Sequence, residues 1–386
     1  MRYRITHRTE YTYAPPAYES FNEVRLRPVS DGMQTCVGFN LSIDPPATVI
    51  AFEDYYGNSV HDFGIPYMHD RLRIEATSDV ITFAGVAEHL TGPGASDADR
   101  SPGMVALAQD EYFADENAEF LHPSAYVALG SSTAEITRVL LAGDPGATAY
   151  AFLLQAAAYV HDHFEYRVGA TNVRSTVDDL LQGGSGVCQD FSHLLISLCR
   201  HAGLPARYVS GYLGNVSASA ASHAWAEAFV PPYGWVGIDP TAGTPSTGRH
   251  VKVAVGRDYA DVSVVRGTYR GGAASGLDVC VECEVMGDSQ SLGIGAPARS
   301  RVGPIQFQTL GAMRQLQRLE AMTQSLGSMT QTLAPMGSSM EMGDPFAPGS
   351  DDRAPRQQPQ QQQQQQKEAV ASVVAGTASV ARTSRQ

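Results

Sequence analysis

The chain has 386 residues, enough for two or three domains, and 43% of them are apolar, so a sizeable core can be buried. Its 27 basic against 40 acidic residues leave a formal charge of −13, which argues against nucleic acid or another polyanion as partner. No stretch nears the roughly 18 apolar residues of a spanning helix, so no membrane partner is expected.

The N-terminus, MRYRITHRTEYTYAPP, has no apolar signal region, and five cysteines are too few and of the wrong parity for a disulfide framework. A reducing, cytoplasmic setting is expected. Residues 1–85 should form a β-rich domain. In YRITHRTEYTY the residues Tyr3, Ile5, His7, Thr9, Tyr11 and Tyr13 fall on one side, as in a strand with one buried face. LSIDPPATV, YYGNSV and RLRIEATSDVITF continue the pattern, with Asp-Pro-Pro and Gly-Asn as turns, and suggest a small antiparallel sandwich or barrel. Residues 86–145 read as a mixed helical connector. GATAYAFLLQAAAYVHDHFEY, residues 146–166, predicts a buried Ala-rich helix, and STVDDLLQGG a short helix capped by Ser175 and stopped by Gly183.

The segment GSGVCQDFSHLLISLCR, 184–200, follows. A glycine turn opens a helix with Cys188 at its mouth, while Phe191, Leu194, Leu195 and Leu198 recur at helical spacing. Cys199 falls among the buried positions. After it, PARYVSGYLG, SHAWAEAFV and GWVGIDPT read as three strands, and VKVAVGRDYADVSVVRGTYRG and LDVCVECEV add β-rich material. The fold class is therefore α+β: a core over 146–287 with a helix packed on an antiparallel sheet. Residues 288–386 are a low-complexity tail with one possible amphipathic helix (Leu310, Met313, Leu316, Leu319) and a poly-Gln run, a composition that predicts disorder.

A thiol attacks as thiolate, and a helix N-terminus favours that anion because unpaired N–H groups and the positive dipole end point at it. Cys188 and Cys199 could equally both be small core residues. Downstream residues favour chemistry. His223 starts a strand whose one face carries His223, Trp225 and Glu227, and Asp239 ends the next strand before Pro240. Nucleophile, base and orienting acid are then all present. His223 lies 35 residues after Cys188 and Asp239 another 16. In papain-type enzymes the His follows by about 130–150 residues, so that arrangement does not fit.

GVCQDFSHLLISLCRHAGLPARYVSGYL, SHAWAEAFVPPYGWVGIDPT and VAVGRDYADVSVVRGTYRGG resemble the bacterial transglutaminase-like superfamily, and the stretch from YRITHRTEYTYAPP to DYYGNSVHDF resembles the N-terminal region often attached to it. The resemblance spans nearly all of residues 1–286. It implies a transglutaminase-like (papain-like) core and a Cys-His-Asp triad: Cys188 as nucleophile, His223 as base and Asp239 as orienting acid. The implied chemistry is acyl transfer through a thioester, on a peptide or protein amide substrate and without a cofactor. Water as acceptor makes a peptidase or amidase; an amine makes a transglutaminase; a non-catalytic scaffold is the reading from another class. The Cys188 N–H is an oxyanion donor, Tyr166 and Gln182 are candidates for a second, and Trp225 is packing or a cleft wall. The resemblance also sets the loop at Arg257 and Asp258 beside the site.

Other signals carry less. His161 and His163 lie on different helix faces, and Cys280 and Cys283, three apart in a strand, point to opposite faces, so no metal site is expected. Asp190 should cap the helix that starts at Cys188, and Glu227 should be a paired acid.

Overall fold

The computed structural model describes residues 1–85, 100–214, 222–272 and 274–286. The amphipathic stretch, the poly-Gln run and the rest of 288–386 lie outside the described residues, as does 86–99 of the connector.

The first sheet is built around one long strand. β1 (Arg2–Val24) is followed by β2 (Gln34–Asp44), β3 (Val49–Glu53), β4 (Ser59–Ile65) and β5 (His69–Thr82) in the order β2-β5-β1-β4-β3. Alternation along β1 is faithful: Tyr3, Ile5, His7, Thr9, Tyr11 and Tyr13 are all buried. They serve two cores. Tyr11 and Tyr13 pack with Phe63, Leu72, Ile74 and Leu277 inside the β-rich region, whereas Tyr3 and Ile5 join the core beneath the helices.

Helices follow: α1 (Met104–Ala108), α2 (Glu111–Glu116), α3 (Ser131–Gly143) and α4 (Ala149–His163). Thr148 caps α4 by accepting the Ala151 N–H at 3.1 Å, and Tyr150, Phe152, Leu153, Ala157 and Val160 bury it. A short strand β6 (Glu165–Tyr166) precedes α5 (Val177–Gly183), and β7 (Ser185–Gly186) precedes α6 (Cys188–His201). The cap of α5 is Thr176, not Ser175. Thr176 and Asp179 form a reciprocal capping box, because the Thr-x-x-Asp spacing satisfies two backbone N–H groups at once. Ser175 instead accepts the Asn172 N–H at 3.0 Å in the preceding turn. The stop is Gly184, at φ 67°, a left-handed residue that glycine adopts without strain.

α6 is buried on every side from Gln189 to Arg200, more than the one apolar face that its spacing predicts. It sits between the sheet strands β8 and β9 and helices α3, α4 and α5. Its polar residues are accommodated by bonds to backbone: Ser197 Oγ donates to Ala128 O at 2.8 Å, and Arg200 reaches the carbonyls of His122, Ala206 and Arg257. Phe191, Leu194, Leu195 and Leu198 each contribute about 1.5–3 kcal/mol by leaving water, so the N-terminus of α6 is a rigid mount.

The second sheet comprises β8 (Ala206–Leu213), β9 (Ser222–Val230), β10 (Gly234–Asp239), β11 (Thr244–Pro245) and β12 (His250–Gly256), in the order β11-β10-β9-β8-β12. The last strands, β13 (Val265–Gly271) and β14 (Ala274–Val285), do not extend it. They pair with β1, on the side away from β5 and β4, with Tyr3 opposite Val285 and Val24 opposite Val265. The sequence reading grouped these residues with the core, since periodicity identifies a strand but not its partner. A chain ending at residue 263 should therefore expose the β1 edge and aggregate, whereas one ending at 290 should keep a cooperative thermal transition; size-exclusion and thermal scans separate the two outcomes.

Candidate active site

Cys188 is the first residue of α6, half-buried against the main core. The approach to it is tightly built. β6 and β7 pair in parallel, Tyr166 opposite Gly186, which brings Tyr166 to the start of α6. A Cβ on Gly186 would stand 2.8 Å from Asp190 Oδ2 and 2.9 Å from Leu180 Cδ1, so the chain can pass here only as glycine. Asp190 caps the helix as expected: its Oδ2 accepts the Val187 N–H at 2.8 Å and the Thr171 hydroxyl at 2.5 Å.

His223, at the start of β9, and Asp239, at the end of β10, meet. His223 Nε2 donates to Asp239 Oδ2 at 2.8 Å, and Cys188 lies near enough to the ring to help raise its pKa. With Nε2 committed to the carboxylate, Nδ1 is the nitrogen left for the thiol. Asp239 is buried, and its other oxygen, Oδ1, accepts the Thr241 N–H at 2.9 Å. Thr241 is held in turn by His161, whose Nδ1 donates to the Thr241 carbonyl at 2.9 Å.

A third ring completes the group, and the sequence reading missed it. His250, the first residue of β12, places Nε2 3.2 Å from the same Asp239 Oδ2, and its Nδ1 accepts the Thr247 N–H at 3.0 Å. Ligand atoms of His223, Asp239 and His250 lie within 4.8 Å of one another, which by distance alone would suit a metal ion. The hydrogen bonds favour another use. An imidazole whose Nδ1 accepts a backbone N–H carries its proton on Nε2, so the nitrogen facing Asp239 has a hydrogen and no free pair for a metal.

Charges follow from these contacts. Burial alone would lower the His223 pKa, but the bond to Asp239 and the nearness of Cys188 outweigh it and hold the group up to about 10. For Asp239, burial raises the pKa and the two imidazole bonds overcome that, leaving the carboxyl well below the usual range. The pair is an imidazolium against a carboxylate at neutral pH.

Over 290 residues, 73% of this chain and 98% of the relative, the sequence is 33% identical to an uncharacterised protein of Mycobacterium leprae. Residues 141–240 match the transglutaminase-like superfamily, and residues 3–81 match the bacterial transglutaminase-like N-terminal region. The chain belongs to the transglutaminase-like superfamily. Its fold matches a solved structure from Cytophaga hutchinsonii, described as a candidate cysteine protease, with a TM-score of 0.58 and 23% identity over 75% of this chain and 92% of that one. A 92-residue stretch, 21% of this chain and 14% of the relative, is 34% identical to the protein-glutamine gamma-glutamyltransferase of Pseudomonas aeruginosa.

Other residues singled out in this transglutaminase-like chain separate into near and far. Tyr166 is close, although 47% exposed: desolvation on its inner side, then Cys188, Asp239 and Asp190, push its phenol above the ordinary range, so it stays protonated and can donate. Gln182 is exposed on α5, and no described contact joins it to Cys188. Trp225 is buried, its ring stacked on His223 (centroids 6.2 Å apart) and edge-on to His250 (5.1 Å). It packs beneath both imidazoles. The loop at Arg257 and Asp258 lies on α6 at Arg200 and His193, with the Tyr259 N–H on His193 Nε2 at 3.2 Å, beyond the turn that carries Cys188. Glu227 is a paired acid, held by Arg207 at 2.7 Å and by Lys252, which also reaches Asp31 at 2.8 Å. His163 stacks on Tyr159 (4.0 Å) and does not converge with His161, while Cys280 and Cys283 sit opposite Arg8 and Ile5 along β14.

Gly211 makes room for the indole. A Cβ there would stand 2.6 Å from Trp225 Cη2 and collide with the Val251 carbonyl. Gly211→Ala should cost about 1–3 kcal/mol by overpacking, read as a lower midpoint in urea unfolding.

Proposed function

We propose that this protein is a cysteine-dependent acyl-transfer enzyme that acts on amide bonds through a thioester, with water as acceptor: a peptidase or amidase. The observation that carries the reading is the His223 imidazole, bonded to Asp239 at 2.8 Å, with Cys188 at a helix N-terminus close enough to help raise the His223 pKa. In the first step the Cys188 sulfur bonds to the amide carbon. As the C–N bond breaks, the imidazolium of His223 passes its proton to the departing amine. Water then attacks the thioester, His223 takes a proton from it, and the acid and Cys188 are released. The Cys188 N–H, unpaired within the helix, stabilises the oxyanion, with the Tyr166 hydroxyl as second donor. The substrate is a peptide or protein amide, and no step needs a cofactor. All five cysteines are free, which supports a reducing, cytoplasmic setting. Among the described residues no helix is long and apolar enough to cross a membrane.

Transglutamination is the second reading, favoured by the stretch similar to a protein-glutamine gamma-glutamyltransferase. It shares every step up to the thioester. Incubation with casein peptides and a biotinylated primary amine separates the two. Cleaved or deamidated product in excess of amine adduct is expected; dominant adduct would reassign the acceptor. If neither product exceeds that of Cys188→Ala, the chain is a binding scaffold.

A further inference from the structure

We propose that His250 is a positioning residue for the acid of this site: as a neutral imidazole with its proton fixed on Nε2, it holds Asp239 ionised and aimed at His223. The inference rests on the nucleophile reading above and adds a fourth member to it.

The tautomer follows from the backbone. The Thr247 N–H points at Nδ1 from 3.0 Å, so Nδ1 must be an acceptor and the only ring N–H is Nε2–H, 3.2 Å from Asp239 Oδ2. The His250 side chain is 9% exposed, with the Trp225 ring edge-on beside it. His250 is thus locked from two directions, its ring also lies tilted against that of His223 with centroids 6.1 Å apart, and its hydrogen bond through Nε2 is to the carboxylate.

Asp239 needs that donor. A buried carboxylate is costly unless its lone pairs are met. Oδ1 is met by Thr241 N–H, and Oδ2 by the two imidazoles. The other titratable groups nearby are committed elsewhere or cannot substitute. Glu227 and Lys252 pair with each other and with Arg207 and Asp31. His161 is spent on the Thr241 carbonyl. Cys188, Tyr166 and Asp190 face the site from the α6 side. Without His250, Oδ2 keeps only the His223 proton, so Asp239 needs a higher pH to stay ionised and supports the imidazolium less well. The Cys188 sulfur opposite that imidazolium is then less readily alkylated at acidic pH.

Two amides of different reach test this. His250→Gln puts an amide N–H near the position of Nε2, whereas His250→Asn stops one carbon short. The rate of Cys188 alkylation by iodoacetamide is followed from pH 3.5 to 7, with the adduct located by peptide mapping and folding checked by thermal scan. The acidic limb should move up by about 0.5–1 pH unit in His250→Asn and return toward wild type in His250→Gln. A limb unmoved in His250→Asn, or moved equally in both variants, overturns the role of His250. If wild-type Cys188 itself reacts as an ordinary thiol of pKa about 8.5 and His223→Ala changes nothing, the nucleophile reading falls, and the inference with it.

Discussion

Iodoacetamide at pH 6, supplied below one equivalent, should label Cys188 ahead of the other four cysteines, and His223→Ala should slow that labelling by up to about 10²-fold. An ordinary thiol is less than about one per cent ionised at that pH, so selective reaction reports a thiolate and not exposure alone. The contrast within α6 is the sharpest control. Cys199, on the same helix, is fully buried, and burial pushes its thiol up to about 12. Burial, as the leading cause, also raises the thiols of Cys36 and Cys280, against partial opposition from Arg27 and Arg8 respectively. His223 keeps its proton until the pH rises through about 10. Preference for anionic iodoacetate over neutral iodoacetamide should therefore persist across the neutral range and fade as the pH nears about 10. The raised pKa also means that the stability contributed by His223 is full below its unfolded value near 6.5 and is lost as pH climbs through about 10. Equal labelling of several cysteines, or an indifferent His223→Ala, would leave Cys188 a structural residue.

Much of this site is written in local pattern. A glycine turn before a helical run marks Cys188, since only close backbone approach explains Gly186 against Asp190. Strand periodicity puts His223 and Trp225 on one face, and an Asp before a Pro marks the end of β10. What local pattern cannot carry is partner choice. His250 begins β12, which hydrogen-bonds to β8 and not to β10. Its approach to Asp239 depends on the order of the whole sheet and on two glycines, Gly211 and Gly237, that leave space beside the Trp225 ring. β13 and β14 are legible as strands, yet their return to β1 depends on contacts more than 200 residues apart. The cap of α5 was missed for a different reason: Ser175 and Thr176 are adjacent and chemically alike, and each has an aspartate three residues on, Asp178 and Asp179, so the capping-box pattern fits both.

Asp239→Asn should lower turnover of an amide substrate by about 10²–10⁴ at pH 7 while the protein stays folded. The argument is a count of donors. Asp239 accepts three N–H groups, one on Oδ1 from Thr241 and two on Oδ2 from His223 and His250. An asparagine offers one oxygen and one NH2. With the oxygen turned toward Thr241, the NH2 meets two imidazole N–H groups; turned the other way, it meets the Thr241 N–H. In the first orientation His223 escapes by moving its proton to Nδ1, which removes the acceptor that the Cys188 thiol needs. In the second, the bond to His223 survives but the charge that stabilises the imidazolium is gone. Either way the thiolate–imidazolium pair is lost. The stability consequence has a definite sign. The Asp239 pKa is depressed in the folded protein, so its contribution is full above the unfolded value near 3.9 and shrinks as pH falls toward the folded one. Melting temperatures of Asp239→Asn and wild type should accordingly differ at pH 7 and converge under strongly acidic conditions. Wild-type turnover in the asparagine variant would remove Asp239 from the mechanism, and with it the reason for two imidazoles to converge on one oxygen.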